Sequence, residues 1–352
     1  MKAQKELKIG ENPRSVLRGW NSQEVGVHWL RISFLRQYLK RVRHYCDIYF
    51  GESVENDRNY NSFDARYSWP NGVTLSYDSS VERSDLKHHG YVSLDVPGLV
   101  LDGMELESLR MFFFGLRKYA PRASRIDFYF DDFERLVTPS KLRKIIEKND
   151  FLGFRKGGNI TSHKSGRLIH DEADFGARGK SGSGKYGRVY DKALESDGSK
   201  NCIRWEFEYT KERAAKAFDL LSQMGSDESF VQLCGELVVG AIGFVKRTGE
   251  KNIARLKRYR FWERIEKSLG SVVIRVPVKR PTIASMFRFI ERQAIRTMAV
   301  LRGTFVSDVD YANWHYSRLA EAELCLSQQQ RNLIKANRRS TRFDDGLVFG
   351  NG

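Results

Sequence analysis

The 352-residue sequence has few cysteines and no long hydrophobic stretch. Its four cysteines are far apart, with no Cys-x-x-Cys pair and no cysteine and histidine set at zinc-ligand spacing, which argues against a structural zinc site and favours a reducing compartment. No run of about 18 uncharged apolar residues is present, which excludes a membrane-spanning helix. The segment Met1–Glu6 lacks the apolar core of a signal peptide. We therefore expect a cytoplasmic protein with no membrane partner.

Disorder is also excluded for most of the chain, because hydrophobic residues make up 41% of it and aromatic residues 12%. At roughly 100–200 residues per domain, this length predicts two domains. Residues 1–21 are polar and are expected to form a flexible N-terminus.

Positive charge is in excess: 60 Lys and Arg face 44 Asp and Glu, a net charge of +16. Such a surplus favours a polyanionic partner, most simply nucleic acid. Twelve Lys and Arg and three Glu lie within residues 246–280, a net +9 (12 − 3), with aromatic residues between them. Some of these cations are predicted to contact DNA; the alternative is a solvated helix face. The DNA-binding candidates of this segment are Lys246, Arg247, Lys251, Arg255, Lys257, Arg258 and Arg260.

A second candidate DNA contact is the stretch 176–187, which is rich in Gly, Lys and Arg and includes Lys180 and Lys185. It suits either a mobile loop over a DNA strand or a plain linker between strands.

Hydrophobic periodicity predicts a strand-rich half up to about residue 210 and a helix-rich, more basic half after it. A Pro-Asn-Gly turn at residues 70–72 predicts a hairpin, and Thr138 followed by Pro139 predicts a helix start. Loops are expected at 54–62 and 160–183. The predicted strands are 27–34, 65–69, 73–77, 91–96, 124–132, 186–192, 203–210 and 272–278. The predicted helices are 34–50, 105–119, 138–149, 211–224, 227–246, 252–268, 282–300 and 307–337.

Three of these strands alternate polar and apolar residues, which places the polar ones on one face. If the three pair in one sheet, its other face is apolar and covered by helices. The polar face would carry carboxylates, cations and tyrosines: Arg125, Asp127, Tyr129, Asp131, Tyr186, Arg188, Tyr190, Lys192, Arg204, Glu206 and Glu208.

Carboxylates set close together repel one another, and a hard divalent cation such as Mg²⁺ or Mn²⁺ relieves that repulsion. A metal held there can polarise a phosphate, and a nearby tyrosine oxygen can attack phosphorus. Arg and Lys would stabilise the charge that builds up on the phosphoryl oxygens. The alternative is a solvated sheet face with salt bridges.

Three ordered segments resemble the replication initiation factor family, which includes rolling-circle initiators of plasmids and filamentous phages and related relaxases. They are SRID followed by DDF within residues 124–133, RVYDK at 188–192, and IRWE at 203–206 followed by Arg213-Ala214. The resemblance, over roughly residues 25–270, implies a metal-dependent, sequence-specific DNA nickase and strand-joining enzyme. It implies Tyr190 as nucleophile and Asp127 and Glu206 as metal ligands. Tyr186 lies on the same predicted strand face and is the alternative nucleophile. The helpers that the resemblance implies are Glu208 and Asp131 as further metal ligands, Arg188 and Lys192 as catalytic cations, and Arg204 as a DNA contact.

The predicted fold class is therefore α+β: an antiparallel sheet with helices on one face, like the catalytic core of His-hydrophobic-His nickases, then a helical C-terminal region. Residues 22–215 would form the nickase domain and 216–352 a basic DNA-binding or dimerisation region. The predicted function is rolling-circle initiation on origin DNA through a covalent 5′-phosphotyrosine. The partners would be host helicase and polymerase, with a homodimer as an option. The alternatives are a conjugative relaxase and a non-enzymatic DNA-binding regulator.

Overall fold

The computed structural model describes residues 23–56, 63–79, 90–179, 183–196, 198–250, 252–274 and 282–337. The predicted flexible N-terminus lies outside these residues. The chain clusters into two units, residues 1–276 and 277–352. The predicted functional division near residue 215 stays a prediction. In the described part of the chain, no helix is long and apolar enough to cross a membrane.

In the described part of the first unit, ten strands form one sheet, and every neighbouring pair is antiparallel. The strands are β1 Gln23–Leu35, β2 Val54–Asn56, β3 Ala65–Ser68, β4 Thr74–Tyr77, β5 Tyr91–Val96, β6 Arg122–Asp132, β8 Gly157–Lys164, β9 Arg167–Gly176, β10 Lys185–Asp191 and β11 Ile203–Thr210. Their order in space is β2-β3-β4-β5-β1-β6-β11-β10-β9-β8. A separate pair joins β7 Phe151–Leu152 to β12 Gly243–Phe244.

Among the described residues, eight α-helices belong to the first unit and four to the second. Those of the first are α1 Leu39–Phe50, α2 Gly98–Gly103, α3 Leu106–Leu116, α4 Pro139–Glu147, α5 Lys192–Glu195, α6 Glu212–Leu221, α7 Asp227–Ala241 and α8 Arg260–Leu269. Those of the second are α9 Ile283–Phe289, α10 Ile295–Arg302, α11 Asp308–Leu324 and α12 Gln328–Asn337, with a π-helical turn at Ile290–Ala294. The predicted α+β class with a helical C-terminal region is confirmed.

The core lies between the apolar face of the sheet and the helices α4, α6 and α7, which contact its central and outer strands. On β6, Phe128 and Phe130 are fully buried, as alternation requires. The Phe130 ring stacks on Trp205 of β11 with ring centres 5.5 Å apart, and Trp262 of α8 packs on Trp205 at 5.5 Å. Helix α8, which lies in the basic segment 246–280, therefore packs onto the core through the buried ring of Trp262.

Two local signals act as predicted. Gly72 adopts φ +90° in the turn between β3 and β4, a conformation that glycine reaches without a Cβ clash. Thr138 caps α4, since its side chain accepts a hydrogen bond from the Lys141 amide, and Pro139 opens the helix.

The predicted loop at 160–183 is wrong over most of its length, because β8 and β9 form a hairpin there. Its turn is Ser165-Gly166, with φ of +50° and +76°, a conformation that suits the tight hairpin of twisted strands. β8 is an edge strand with exposed polar side chains, so it lacks the apolar alternation of a buried strand.

Other boundaries also differ. Residues 54–56, predicted as loop, form the edge strand β2. The predicted helix 252–268 begins only at Arg260, and the predicted helix 307–337 breaks at Cys325. Of the predicted strand 272–278, residues 272–274 are not extended into a strand and the remainder lies outside the described residues.

Candidate active site on the polar face of the sheet

The strands β6, β11 and β10 are direct neighbours, so the predicted condition for one shared polar face is met. In the register, Glu208 lies opposite Asp127 and Arg188 lies opposite Glu206. We call the polar face the side of the sheet that carries Asp127, Tyr129, Asp131, Arg204, Glu206, Glu208, Tyr186, Arg188 and Tyr190.

Asp127 is 1% exposed, and both of its oxygens accept hydrogen bonds from Arg125, at 2.9 Å from Nε and 2.5 Å from Nη2. The same Nη2 lies 3.3 Å from Glu208. Burial raises the pKa of Asp127 to about 6, and the neighbouring charges of Glu206 and Glu208 add to that rise against the opposing effect of Arg125. The neighbouring carboxylates therefore require a positive charge close to them, and the Arg125 guanidinium supplies it in this structure.

Glu206 connects this cluster to Tyr190. Both Glu206 oxygens accept from Arg188 Nη2, at 2.8 and 2.9 Å, and the Tyr190 hydroxyl donates to Oε2 at 3.3 Å. Tyr190 is 1% exposed, and burial and then the Glu206 charge raise its pKa well above the ordinary value. The phenol is therefore protonated at neutral pH, and Glu206 is placed to accept its proton.

Two cations cover the Tyr190 ring. The Arg188 guanidinium carbon lies 5.0 Å and the Lys192 Nζ 5.6 Å from the ring centre. Their side chains are 27% and 20% exposed. Two partly exposed cations thus lie beside the ring of the buried tyrosine.

Tyr186 lies on the same face, opposite Glu208 in the register. It is half-buried beneath Arg178, whose guanidinium carbon lies 4.3 Å from its ring centre. Burial raises the pKa of Tyr186 to about 12. Four residues along a strand separate Tyr186 from Tyr190 by about 13 Å, so only one of them can serve a given phosphate.

Asp131 forms a second, separate cluster. It is fully buried and accepts from Arg204 at 2.7 and 2.8 Å, while Lys200 lies 2.9 Å away. Burial acts to raise the pKa of Asp131, but Arg204 and Lys200 outweigh it and hold that pKa below the usual range. The structure thus places Asp131, expected among the metal ligands, in an ion pair about 13 Å along β6 from Asp127. Arg204, expected on the DNA surface, is only 2% exposed for the same reason.

The remaining predicted DNA contacts divide into three groups. Lys185 faces the helix-covered side, where its Nζ donates to the carbonyl oxygen of Ala241 and burial lowers its pKa to about 8, which removes it from any DNA surface. Lys180 and Lys251 lie outside the described residues. Six are exposed, although Arg258 pairs with Glu266: Lys246, Arg247, Arg255, Lys257, Arg258 and Arg260.

A dedicated metal cage is absent from the described residues, since no three His, Cys, Asp or Glu side chains converge there as ligands. The carboxylates of Asp127, Glu206 and Glu208 nevertheless offer hard oxygen donors on adjacent strands. Mg²⁺ is commonly held by one or two carboxylates together with substrate phosphates. The residues present therefore fit a divalent ion that binds together with a phosphate.

Sequence patterns did not identify the ion-pair partners of the carboxylates on the polar face. Arg125, Arg178 and Lys200 form ion pairs with these carboxylates. Arg125 was predicted on the polar face but without a role in the site, and Arg178 and Lys200 were not predicted there. The alternation of β6 already placed Arg125 beside Asp127, so that one signal was present; the other two residues follow from the folded loops.

Comparisons with known proteins agree with this architecture. A solved structure titled "Structure of Rolling Circle Replication Initiator Protein from Geobacillus stearothermophilus" matches with a TM-score of 0.57 and 18% identity, over 72% of this chain and 98% of that one. No curated protein matches the sequence. Residues 121–312, more than half of the chain and including β6, β10 and β11, match the family model described as replication initiation factor. The resemblance carried by the three sequence segments is thus confirmed, and the chain belongs to the replication initiation factor family.

Proposed function

We propose that this protein initiates rolling-circle replication by nicking one strand of origin DNA and later rejoining it. The observation that carries the proposal is the hydrogen bond from the Tyr190 hydroxyl to Glu206, within a cluster of buried carboxylates. Family membership and the fold shared with a rolling-circle initiator support it.

In the proposed reaction, Tyr190 Oη attacks the scissile phosphorus while its proton passes to Glu206. The new O–P bond joins the 5′ phosphate to the tyrosine, and the bond from phosphorus to the 3′ oxygen breaks. The 3′ oxygen takes up a proton from water and becomes a primer end for a host polymerase. Because the phosphotyrosine retains the energy of the broken bond, rejoining needs no ATP. Strand separation falls to a host helicase.

Asp127 and Glu206, with Glu208 beside them, would hold Mg²⁺ or Mn²⁺. When bound, such an ion polarises the scissile phosphate and offsets the charge of the neighbouring carboxylates. In its absence Arg125 supplies the compensating charge. Arg188 and Lys192, which cover the Tyr190 ring, would turn to the phosphoryl oxygens and stabilise their developing charge.

A nicking assay on supercoiled DNA that carries the cognate origin tests the proposal. Wild type with Mg²⁺ or Mn²⁺ should give a nicked product and a covalent adduct. Tyr190→Phe should bind the same DNA but give neither, because it lacks the attacking oxygen. Tyr186→Phe is the matched control: it lies on the same strand and face and should retain nicking. Normal nicking by Tyr190→Phe, with loss in Tyr186→Phe, would reverse the assignment of the nucleophile.

The metal ligands are tested by Asp127→Asn and Glu206→Gln, each of which should lose metal-dependent nicking. Asp131→Asn tests whether the second carboxylate cluster takes part in metal binding. The folded fraction of this variant should nick DNA with the same dependence on metal concentration as wild type. Unchanged activity in both Asp127→Asn and Glu206→Gln would refute the ligand assignment. A non-enzymatic regulator would bind DNA without nicking under every metal condition.

A further inference from the structure

A groove lined by lysines and aromatic residues lies on the helix-covered side of the sheet, apart from the residues of the candidate active site. It lies between α4 and the start of α8 and has a volume of about 280 Å³. We call it the α4 groove; its lining includes Lys141, Lys144, Lys148, Ile145, Tyr259 and Phe261.

Three lysines form one wall of the α4 groove. Lys141, Lys144 and Lys148 follow one another at helical spacing, so they lie on one face over about 10 Å. All three are exposed, and in the described part of the chain none of them forms an ion pair. By contrast Arg143, on another face of α4, pairs with Asp171. The groove wall therefore carries three uncompensated positive charges.

The opposite wall of the α4 groove connects the row of three lysines to the exposed basic segment at residues 246–260. The Tyr259 hydroxyl donates to Asp150 at 2.7 Å, and Lys246 Nζ lies 5.5 Å from the Tyr259 ring centre. Arg247 donates from Nε to the carbonyl oxygen of Asn149 at 2.6 Å, and its amide donates to Asp150 at 2.9 Å. The nearby carboxylate of Asp150 is thus already occupied, and the segment is fixed against the C-terminal end of α4.

We propose that the α4 groove binds the phosphodiester backbone of double-stranded origin DNA. A row of unpaired ammonium groups about 10 Å long spans about three phosphates of one strand, at about 3.4 Å of helix axis per phosphate, and lysines bind phosphate as point charges without reading bases. Tyr259 and Phe261 are half-buried in ring contacts, so they form the floor and do not offer free faces for base stacking. This inference rests on the proposed function, because it takes DNA as the substrate.

The test is equilibrium binding of a fluorescent origin duplex in EDTA, where no metal-dependent chemistry occurs, over a series of salt concentrations. In the variant Lys141→Gln, Lys144→Gln, Lys148→Gln, the affinity should fall about tenfold or more at 0.1 M salt. The slope of log K against log salt should drop by about 0.9 for each phosphate that is no longer neutralised. The matching triple Lys→Arg variant keeps the charge and should retain the wild-type slope.

The control variant removes the same three charges elsewhere: Lys40→Gln, Arg41→Gln and Lys118→Gln. These residues are exposed, and α1, which carries two of them, contacts Trp69 beside β3 at the other half of the sheet. Its binding should stay close to wild type. Melting temperatures of all variants verify folding, and the three single Lys→Gln variants replace the triple one if it is unfolded.

Wild-type affinity and salt slope in the α4 groove variant would overturn the inference. So would an equal loss in the control variant, which would show a general effect of net charge. A loss seen with a single-stranded oligonucleotide but not with the duplex would also overturn it. The two proposals fail separately: binding without nicking refutes the proposed function alone, and nicking with groove-independent binding refutes the α4 groove alone.

Discussion

Replacing Asp131 by Asn should lower the free energy of unfolding of the protein, and it should not remove a metal ligand. Asp131 is fully buried and Arg204 is 2% exposed, and their two hydrogen bonds of 2.7 and 2.8 Å satisfy both charges. Removing one partner of a buried ion pair leaves the other charge uncompensated and costs about 3–5 kcal/mol. At about 2–4 °C per kcal/mol for a unit of this size, the melting temperature should fall by about 6–20 °C.

The pH dependence gives a second readout. The folded-state pKa of Asp131 lies below its unfolded value of about 3.9, so its contribution to stability is complete above that value. It is lost as pH falls through the folded-state pKa. The difference in unfolding free energy between wild type and Asp131→Asn should therefore be constant at neutral pH and shrink in strong acid.

A double-mutant cycle in urea, followed by circular dichroism, separates the ion pair from other effects. Asp131→Leu with Arg204→Met removes both charges and should recover most of the stability that either single change loses. Additive losses, or a cost below about 1 kcal/mol for Asp131→Asn, would refute the ion-pair account and return Asp131 to the candidate metal ligands.

Three further predictions concern stability. Lys185→Met should stabilise the protein at pH 7 by about 1–2 kcal/mol, since burial lowers the pKa of Lys185 to about 8 and the missing hydrogen bond to Ala241 offsets part of the gain; thermal melts should show this gain disappear and then reverse as pH rises from 8 towards 10.5. Thr138→Ala should cost about 1 kcal/mol in urea unfolding, because the Lys141 amide loses its cap, whereas Thr138→Ser should cost little. Asp127→Asn in EDTA should stabilise the protein by about 1–3 kcal/mol above pH 6, with no difference below about pH 4, because the folded-state pKa of Asp127 is raised.

Much of the polar face could be predicted because the alternation of polar and apolar residues can be read from the sequence of each strand by itself. β5 and β11 have the predicted bounds, and the faces of β6 and β10 follow from period two. The same rule places Lys185 opposite to Tyr186, but the predicted strand began at Tyr186 and left Lys185 in a loop. An error of one residue at a strand end thus moved a cation to the wrong side of the sheet.

Ion-pair partners were beyond sequence reasoning, because they depend on strand register and on loops distant in sequence. Asp131 shares a face with Asp127, yet it pairs with Arg204 across the register and with Lys200 from the preceding loop. The edge strand β8 was missed because its side chains are mostly polar and exposed and do not alternate between polar and apolar.

The most direct test of the account is the identity of the residue that carries the DNA. Trypsin cleaves after Lys185, Arg188 and Lys192, so Tyr186 and Tyr190 fall on different peptides, residues 186–188 and 189–192. After reaction with an origin oligonucleotide and Mg²⁺ or Mn²⁺, nuclease and trypsin digestion followed by mass spectrometry should find the nucleotide on the peptide 189–192. A nucleotide on the peptide 186–188, or no covalent adduct while nicking proceeds, would contradict the central role of Tyr190.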